Sequence, residues 1–164
     1  MKHIIEYILE KSYSCTCYML VGLPGSGKST WCKEEQPKLP VVSRDIIRAE
    51  LGYTKDADEK AVLTFQQEQE VTAKEKEKME KYAKDGQDFI MDDTNLKKKY
   101  RAQNIEFLKS IGCKVIGVWF DTPLDVCINR RDGQIEPDVM KDINSKMAKP
   151  EPEEFDEFIK IEHK

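Results

Sequence analysis

The chain has 164 residues, 39% hydrophobic and 35% charged, a length that suits one domain (1–164) with a compact core and a heavily charged surface, with no room for a second catalytic domain. Its net charge is −4; residues 151–164 hold six acids against two lysines, so the excess lies in that tail and residues 1–150 are balanced, unlike a protein that coats long nucleic acid. No stretch approaches membrane-spanning length and the first ten residues lack a secretory apolar core, so no membrane partner is expected.

The five cysteines, Cys15, Cys17, Cys32, Cys113 and Cys127, are odd in number and form no CxxC pair. Free thiols in a reduced, cytoplasmic protein are the expectation. With only His3 and His163, both near the ends, a histidine-built metal site or a histidine base is not expected.

Along the chain, Ile4, Ile5, Ile8 and Leu9 have helical spacing, which predicts an N-terminal helical extension within residues 1–16 that packs on the sheet. Cys17–Val21 is apolar enough for a central strand, and Ser29–Glu35 opens a helix before Pro37. Val41–Ser43 predicts a second short strand. Residues 54–85 look helical, with Phe65, Val71, Met79 and Tyr82 among alternating charges that read as a solvated face. Asp88–Asp93 predicts a third strand ending in carboxylates, and Leu96–Ile111 a helix stopped by Gly112, its first turn carrying Lys97, Lys98, Lys99 and Arg101. That basic turn reads as solvated, with contact to acceptor phosphates as the alternative. Lys114–Phe120 is the clearest strand, continuous and β-branched as in a parallel sheet buried on both faces. A helix from Thr122-Pro123 to Asn129, a basic loop at Arg130-Arg131, a helix from Pro137 to Met147 and a strand over Phe155–Ile161 complete the expectation. Strands alternating with helices predict an α/β fold: a three-layer, parallel sheet of about five strands flanked by helices, with an arginine-bearing lid and its ligand at the strands' C-terminal edge.

Between the first strand and helix stands Gly22-Leu23-Pro24-Gly25-Ser26-Gly27-Lys28-Ser29, the spacing of a phosphate-binding P-loop. Gly22, Gly25 and Gly27 let the backbone turn its N–H groups inward, and the helix N-terminus adds a positive end, so one anionic site is built. ATP fits it. Lys28 would reach the β- and γ-phosphates, Ser29 would bind the Mg²⁺ that bridges them, and Thr30 is a helper.

Transfer of a phosphoryl group to an alcohol needs a carboxylate to take the hydroxyl proton and cations for the equatorial oxygens. Asp45 stands after the second strand, with Arg48 three residues on and on the same helical face; the alternative makes them a helix cap and a surface pair. Asp93 would orient metal-bound water or pair with an arginine such as Arg48, and Thr94 and Asn95 offer hydrogen bonds to an acceptor. Arg130 and Arg131 suit a lid over the phosphates.

The set GLPGSGKSTW, Arg44-Asp45-x-x-Arg48, Asp93-Thr94-Asn95-Leu96 and the arginine lid resembles the 5′-kinase domain of bacteriophage-type polynucleotide kinases, within the P-loop kinase superfamily, over about residues 17 to 162. The resemblance implies that Lys28 and Ser29 hold ATP and Mg²⁺, that Asp45 is the general base for a 5′-hydroxyl of DNA or RNA, that Arg48 holds the acceptor's 3′-phosphate, and that Asp93 and Thr94 line the acceptor site. It implies no protein partner. The family lid spaces its arginines about a turn apart, whereas Arg130 and Arg131 adjoin. Related kinases of small molecules or aminoacyl-tRNA share the first motif and the strand-end Asp, and remain the alternative. A nucleotide-dependent switch is a third reading, and no guanine-specificity Asn/Thr-Lys-x-Asp string supports a GTPase.

Overall fold

The computed structural model describes residues 1–10, 12–56 and 62–163. In chain order the elements are α1 (Lys2–Glu10), β1 (Cys15–Val21), α2 (Lys28–Glu35), β2 (Val41–Val42), α3 (Arg44–Glu50), α4 (Phe65–Lys84), β3 (Phe89–Met91), α5 (Lys98–Ser110), β4 (Cys113–Asp121), α6 (Leu124–Arg130), α7 (Pro137–Ser145) and β5 (Glu157–Glu162). The five strands form one sheet in the order β2-β3-β1-β4-β5, parallel throughout. This is the α/β architecture that the alternating strands and helices predict.

Period-two alternation along β1 builds the three layers. Cys15, Cys17, Met19 and Val21 face the core under α4 and α5, where Val71, Met79, Ile105 and Leu108 are buried. Tyr18 and Leu20 face the opposite side, against Trp31 and Cys32 of α2. A third cluster, with Leu23, Leu96, Cys127 and Met140, joins α6 and α7 to the strands' C-terminal edge. The chain leaves β1 toward β2 and β3 on one side and reaches β4 on the other, so the loop after β1 sits where the strand order reverses. All five cysteines are free and buried.

Three expectations are corrected. Ile4 and Ile5 of α1 are 62% and 52% exposed, so the part of that helix whose side chains are described does not pack on the sheet. The helix expected from residue 54 starts at Phe65, because Thr64 and Gln67 exchange hydrogen bonds in a capping box; residues 51–56 form turns and the 57–61 part of the expected helix lies outside the described residues.

The third concerns Arg101, expected in a solvated basic turn and in fact fully buried. Its guanidinium donates to the carbonyls of Asn95, Leu96 and Ala148 at 2.8–3.0 Å and to the Glu154 carboxylate at 3.0 Å. One side chain thus ties the exit of β3, the end of α7's loop and the turn before β5. Arg101→Met is expected to cost about 3–5 kcal/mol, since it strands a half-buried carboxylate and three carbonyls; a denaturant midpoint within error of wild type would refute this anchor.

Candidate active site

The loop after β1 is shaped by its glycines. A Cβ on Gly22 would stand 2.6 Å from the Ser26 hydroxyl, and Gly27, the N-cap of α2, has φ +106°, a left-handed value. No side chain caps α2, so its first N–H groups face the loop's concavity. Ser26 Oγ is buried without a partner. Lys28 Nζ donates to the carbonyls of Gly22 and Leu23, each at 2.9 Å, and keeps its third N–H for an anion. A bare glycine cradle, an unpartnered buried hydroxyl and a lysine folded over the loop fit a polyphosphate.

A cleft of about 470 Å³ opens over this loop, lined by Gly25–Thr30, Phe120, Ile161 and both Arg130 and Arg131. Arg130, the last residue of α6, donates from Nη1 to Gly25 O at 3.1 Å, and Arg131 bonds Gln134 at 2.9 Å. Both adjoining arginines line the cleft, but only Arg130 bonds the loop.

Two consecutive carboxylates end β3. Asp92 faces the P-loop: burial raises its pKa above the ordinary range, Lys28 pulls it back, Asp45 pushes it up and Arg131 lowers it. Lys28 in turn is lowered to about 8 by burial, against the pull of Asp92 and with the help of Arg131. Asp93 turns the other way. Its Oδ1 accepts from Arg44 N at 3.0 Å and so caps α3, whose own N-cap Ser43 makes no side-chain cap. The expected pairing of Asp93 with Arg48 is replaced by this cap. Thr94 O accepts from Gly22 N at 3.1 Å, and Asn95, at φ +50°, donates to Leu20 O at 2.8 Å, so the β3 exit is locked to the β1 exit.

Asp45 is exposed in the first turn of α3, and its Oδ1 accepts from Arg48 Nη1 at 2.8 Å. Arg48 Nη2 reaches both oxygens of Glu68 at 3.2 Å. Glu68 also takes Arg44 Nη2 at 2.7 Å, and Arg44 Nη1 holds Glu75 at 3.0 Å. Glu75 Oε1 and Asp93 Oδ2 are both buried without a donor; one proton shared between them satisfies both. Burial, then Glu75, pushes Asp93 well above its usual range, with Arg44 opposing. Arg44, Glu68, Glu75 and Asp93 border a second cleft of about 700 Å³ between α4, α5 and α7, floored by Asp93–Lys97; Asp45 and Arg48 are not among its lining residues.

Asp92, Glu68 and Glu75 were not singled out in the sequence, and Arg44 entered only as part of a motif, with no role. The signal for Glu75 was its place in the series Val71, Glu75, Met79, Ala83, four residues apart and all buried: a glutamate in an apolar stripe needs a partner. For Asp92 the period-two alternation past Met91 was the available clue.

Residues 18–148 match a family model described as an AAA domain. The chain belongs to that AAA_33 family. No curated protein matches the sequence. Among solved structures, this AAA_33 chain is similar to a chain of the Pnkp1/Rnl/Hen1 RNA repair complex, at 19% identity and TM-score 0.70 over 80% of this chain and 43% of that one. It is also similar to a sugar kinase from Janibacter sp. HTCC2649, at 20% identity and TM-score 0.62 over 90% and 85%. A third is the Mycobacterium tuberculosis APS kinase in complex with AMPPNP and APS, at 20% identity and TM-score 0.57 over 90% and 88%. At these identities the likeness is one of fold, the P-loop kinase fold that the sheet order displays. Among the described residues no helix is long and apolar enough to cross a membrane.

Two measurements test this AAA_33 site. Tripolyphosphate, titrated calorimetrically, is expected to bind at the loop and to weaken as pH rises through about 8, where Lys28 loses its proton; Lys28→Ala is expected to lose about tenfold or more in affinity, and unchanged affinity would remove the lysine from the site. Because Asp93 is raised in the fold, folding takes up a proton, so the pair's stabilisation is present below the ordinary carboxylate range and is lost as pH rises through the raised value. Glu75→Gln supplies its own N–H donors and is expected to flatten that slope in thermal melts; an unaltered slope would refute the shared proton.

Proposed function

We propose that this protein is an ATP-dependent phosphotransferase that moves the γ-phosphate to a hydroxyl, and that the acceptor is the 5′-OH end of DNA or RNA. The observation that carries the reading is the placement of Asp45. Asp92, at the end of β3, is near enough to both Lys28 and Asp45 for each charge to act on it, and the exposed Asp45 stands in the first turn of α3 directly after β2, at the same C-terminal edge of the sheet as the loop.

In this reading the loop N–H groups, Lys28 and the first turn of α2 hold the donor phosphates, and Ser29 is the ligand for Mg²⁺. When bound, the ion would supply charge neutralisation on the donor phosphates. Asp45, oriented by its 2.8 Å bond from Arg48, takes the acceptor hydroxyl's proton. Arg48 binds the phosphate 3′ to the reacting sugar through a charge-assisted pair, and Asp93 and Thr94 line the acceptor side. Arg130 and Arg131, both on the donor cleft, meet charge that develops during transfer.

One observation favours a second reading, a small polar acceptor such as a metabolite, or an aminoacyl-tRNA hydroxyl. The larger cleft is lined by four basic and four acidic side chains, a balance that does not draw a long polyanion. Labelled γ-phosphate transfer to 5′-OH oligonucleotides, nucleoside 3′-phosphates, sugars and aminoacylated tRNA separates the two. Nucleoside 3′-phosphates are expected to outperform bare nucleosides, and Arg48→Ala to erase the difference. Asp45→Asn is expected to lower kcat by about 10²-fold with ATP binding retained. Labelled sugar with unlabelled oligonucleotides would overturn the acceptor assignment, and loss of ATP affinity in Asp45→Asn would move Asp45 to the donor side.

A further inference from the structure

The rim of the larger cleft carries features that neither phosphate binding nor proton transfer uses. Tyr100, Gln103 and Asn104 stand at i, i+3 and i+4 on one face of α5, and all three line the cleft. Tyr100 is 54% exposed, an aromatic face left open at the mouth. Lys97 Nζ lies 5.6 Å from its ring centroid, and across the cleft Lys76 Nζ lies 5.1 Å from the Phe107 ring. The other cations of the cleft are neutralised: Arg44 by Glu68 and Glu75, Lys146 by Asp142 at 2.7 Å. Among the described residues Lys76 and Lys97 have no ion-pair partner within the cleft.

A half-exposed aromatic ring, an ammonium group beside it without an ion-pair partner and two amides on the same helix face correspond to the parts of a nucleotide: a planar ring to stack, a phosphate to hold, base edges to bond. The volume of about 700 Å³ falls in the range that encloses a ligand of that size. We propose that the α5 rim is a nucleotide subsite, in which a nucleobase stacks on Tyr100 and its 3′-phosphate is held by Lys97, the lysine beside that ring. This rests on the acceptor assignment above and deepens it: the occupant is the nucleotide that follows the reacting 5′-end, and its 3′-phosphate is the one after the phosphate assigned to Arg48.

The test compares a 5′-OH dinucleotide with its abasic analogue as acceptors, and measures equilibrium binding of adenosine 3′-monophosphate by calorimetry, for wild type, Tyr100→Ala, Tyr100→Phe and Lys97→Ala. Thermal melts check that each variant is folded. Tyr100→Ala is expected to raise KM for the dinucleotide about tenfold with kcat kept, the scale of one base–aromatic stack. Tyr100→Phe is expected to restore it, and the abasic acceptor to be equally poor with wild type and Tyr100→Ala. Lys97→Ala is expected to weaken the 3′-monophosphate and to reduce its salt dependence. Equal losses on the dinucleotide and the abasic acceptor, or no loss in Tyr100→Ala, would overturn the subsite. Should no acceptor be phosphorylated, Tyr100-dependent binding of the 3′-monophosphate would keep the subsite while the kinase reading fell, and absence of binding would remove the subsite itself.

Discussion

Two neighbouring carboxylates leave the end of β3 in opposite directions, and the site is arranged around that divergence. Asp92 turns toward Lys28 and Arg131, and Asp93 toward the N-terminus of α3, Arg44 and Glu75. Strand alternation makes this unavoidable. It also sets the scale of the site, because a single peptide step separates the phosphate cradle from the helix that bears Asp45 and Arg48. The β3 exit is held against the β1 exit by the Thr94 and Asn95 bonds, so the step cannot widen without breaking the sheet's most buried edge.

Holding Asp93 in this position has an electrostatic cost that the surroundings offset. A buried carboxylate facing a buried glutamate would repel it, and Arg44 meets both, bonding Glu75 by its side chain and Asp93 by its backbone N–H. Glu68 then links Arg44 to Arg48. The chain of charges runs from the core of α4 to the surface of α3.

Much of the fold was legible in local patterns. The glycine spacing, the β-branched run of β4 and the i,i+3 pair Asp45–Arg48 act within a few residues, and each appears in the structure as a cradle, a buried strand and a 2.8 Å bond. What escaped the sequence depends on distant partners. Arg101 looked like one more cation in a basic run because Ala148 and Glu154, which make it internal, lie far along the chain. The roles of Asp92 and Asp93 could not be divided without knowing which face of β3 meets α2. The start of α4 was legible in Thr64-x-x-Gln67, a capping string overridden by the helical look of the preceding residues. The N-terminal helix has the apolar spacing of a packed element, yet Ile4 and Ile5 face solvent, since spacing records amphipathicity and not the presence of a partner.

The Arg101 anchor bears on the order in which the molecule is completed during synthesis. Its carboxylate partner lies 53 residues downstream, and β1 meets β4 only after a separation of 98 residues at the Cys15–Cys113 pair. A nascent chain that has released α5 but not residue 154 holds a guanidinium with two of its carbonyls and no counter-charge, so α5 cannot yet bury that face. Docking of α5 therefore waits for residues 148–154 to emerge, and the central strand meets its second neighbour late. The P-loop, although encoded early in the sequence, gains its contact from Arg130 only after a further 105 residues have been made.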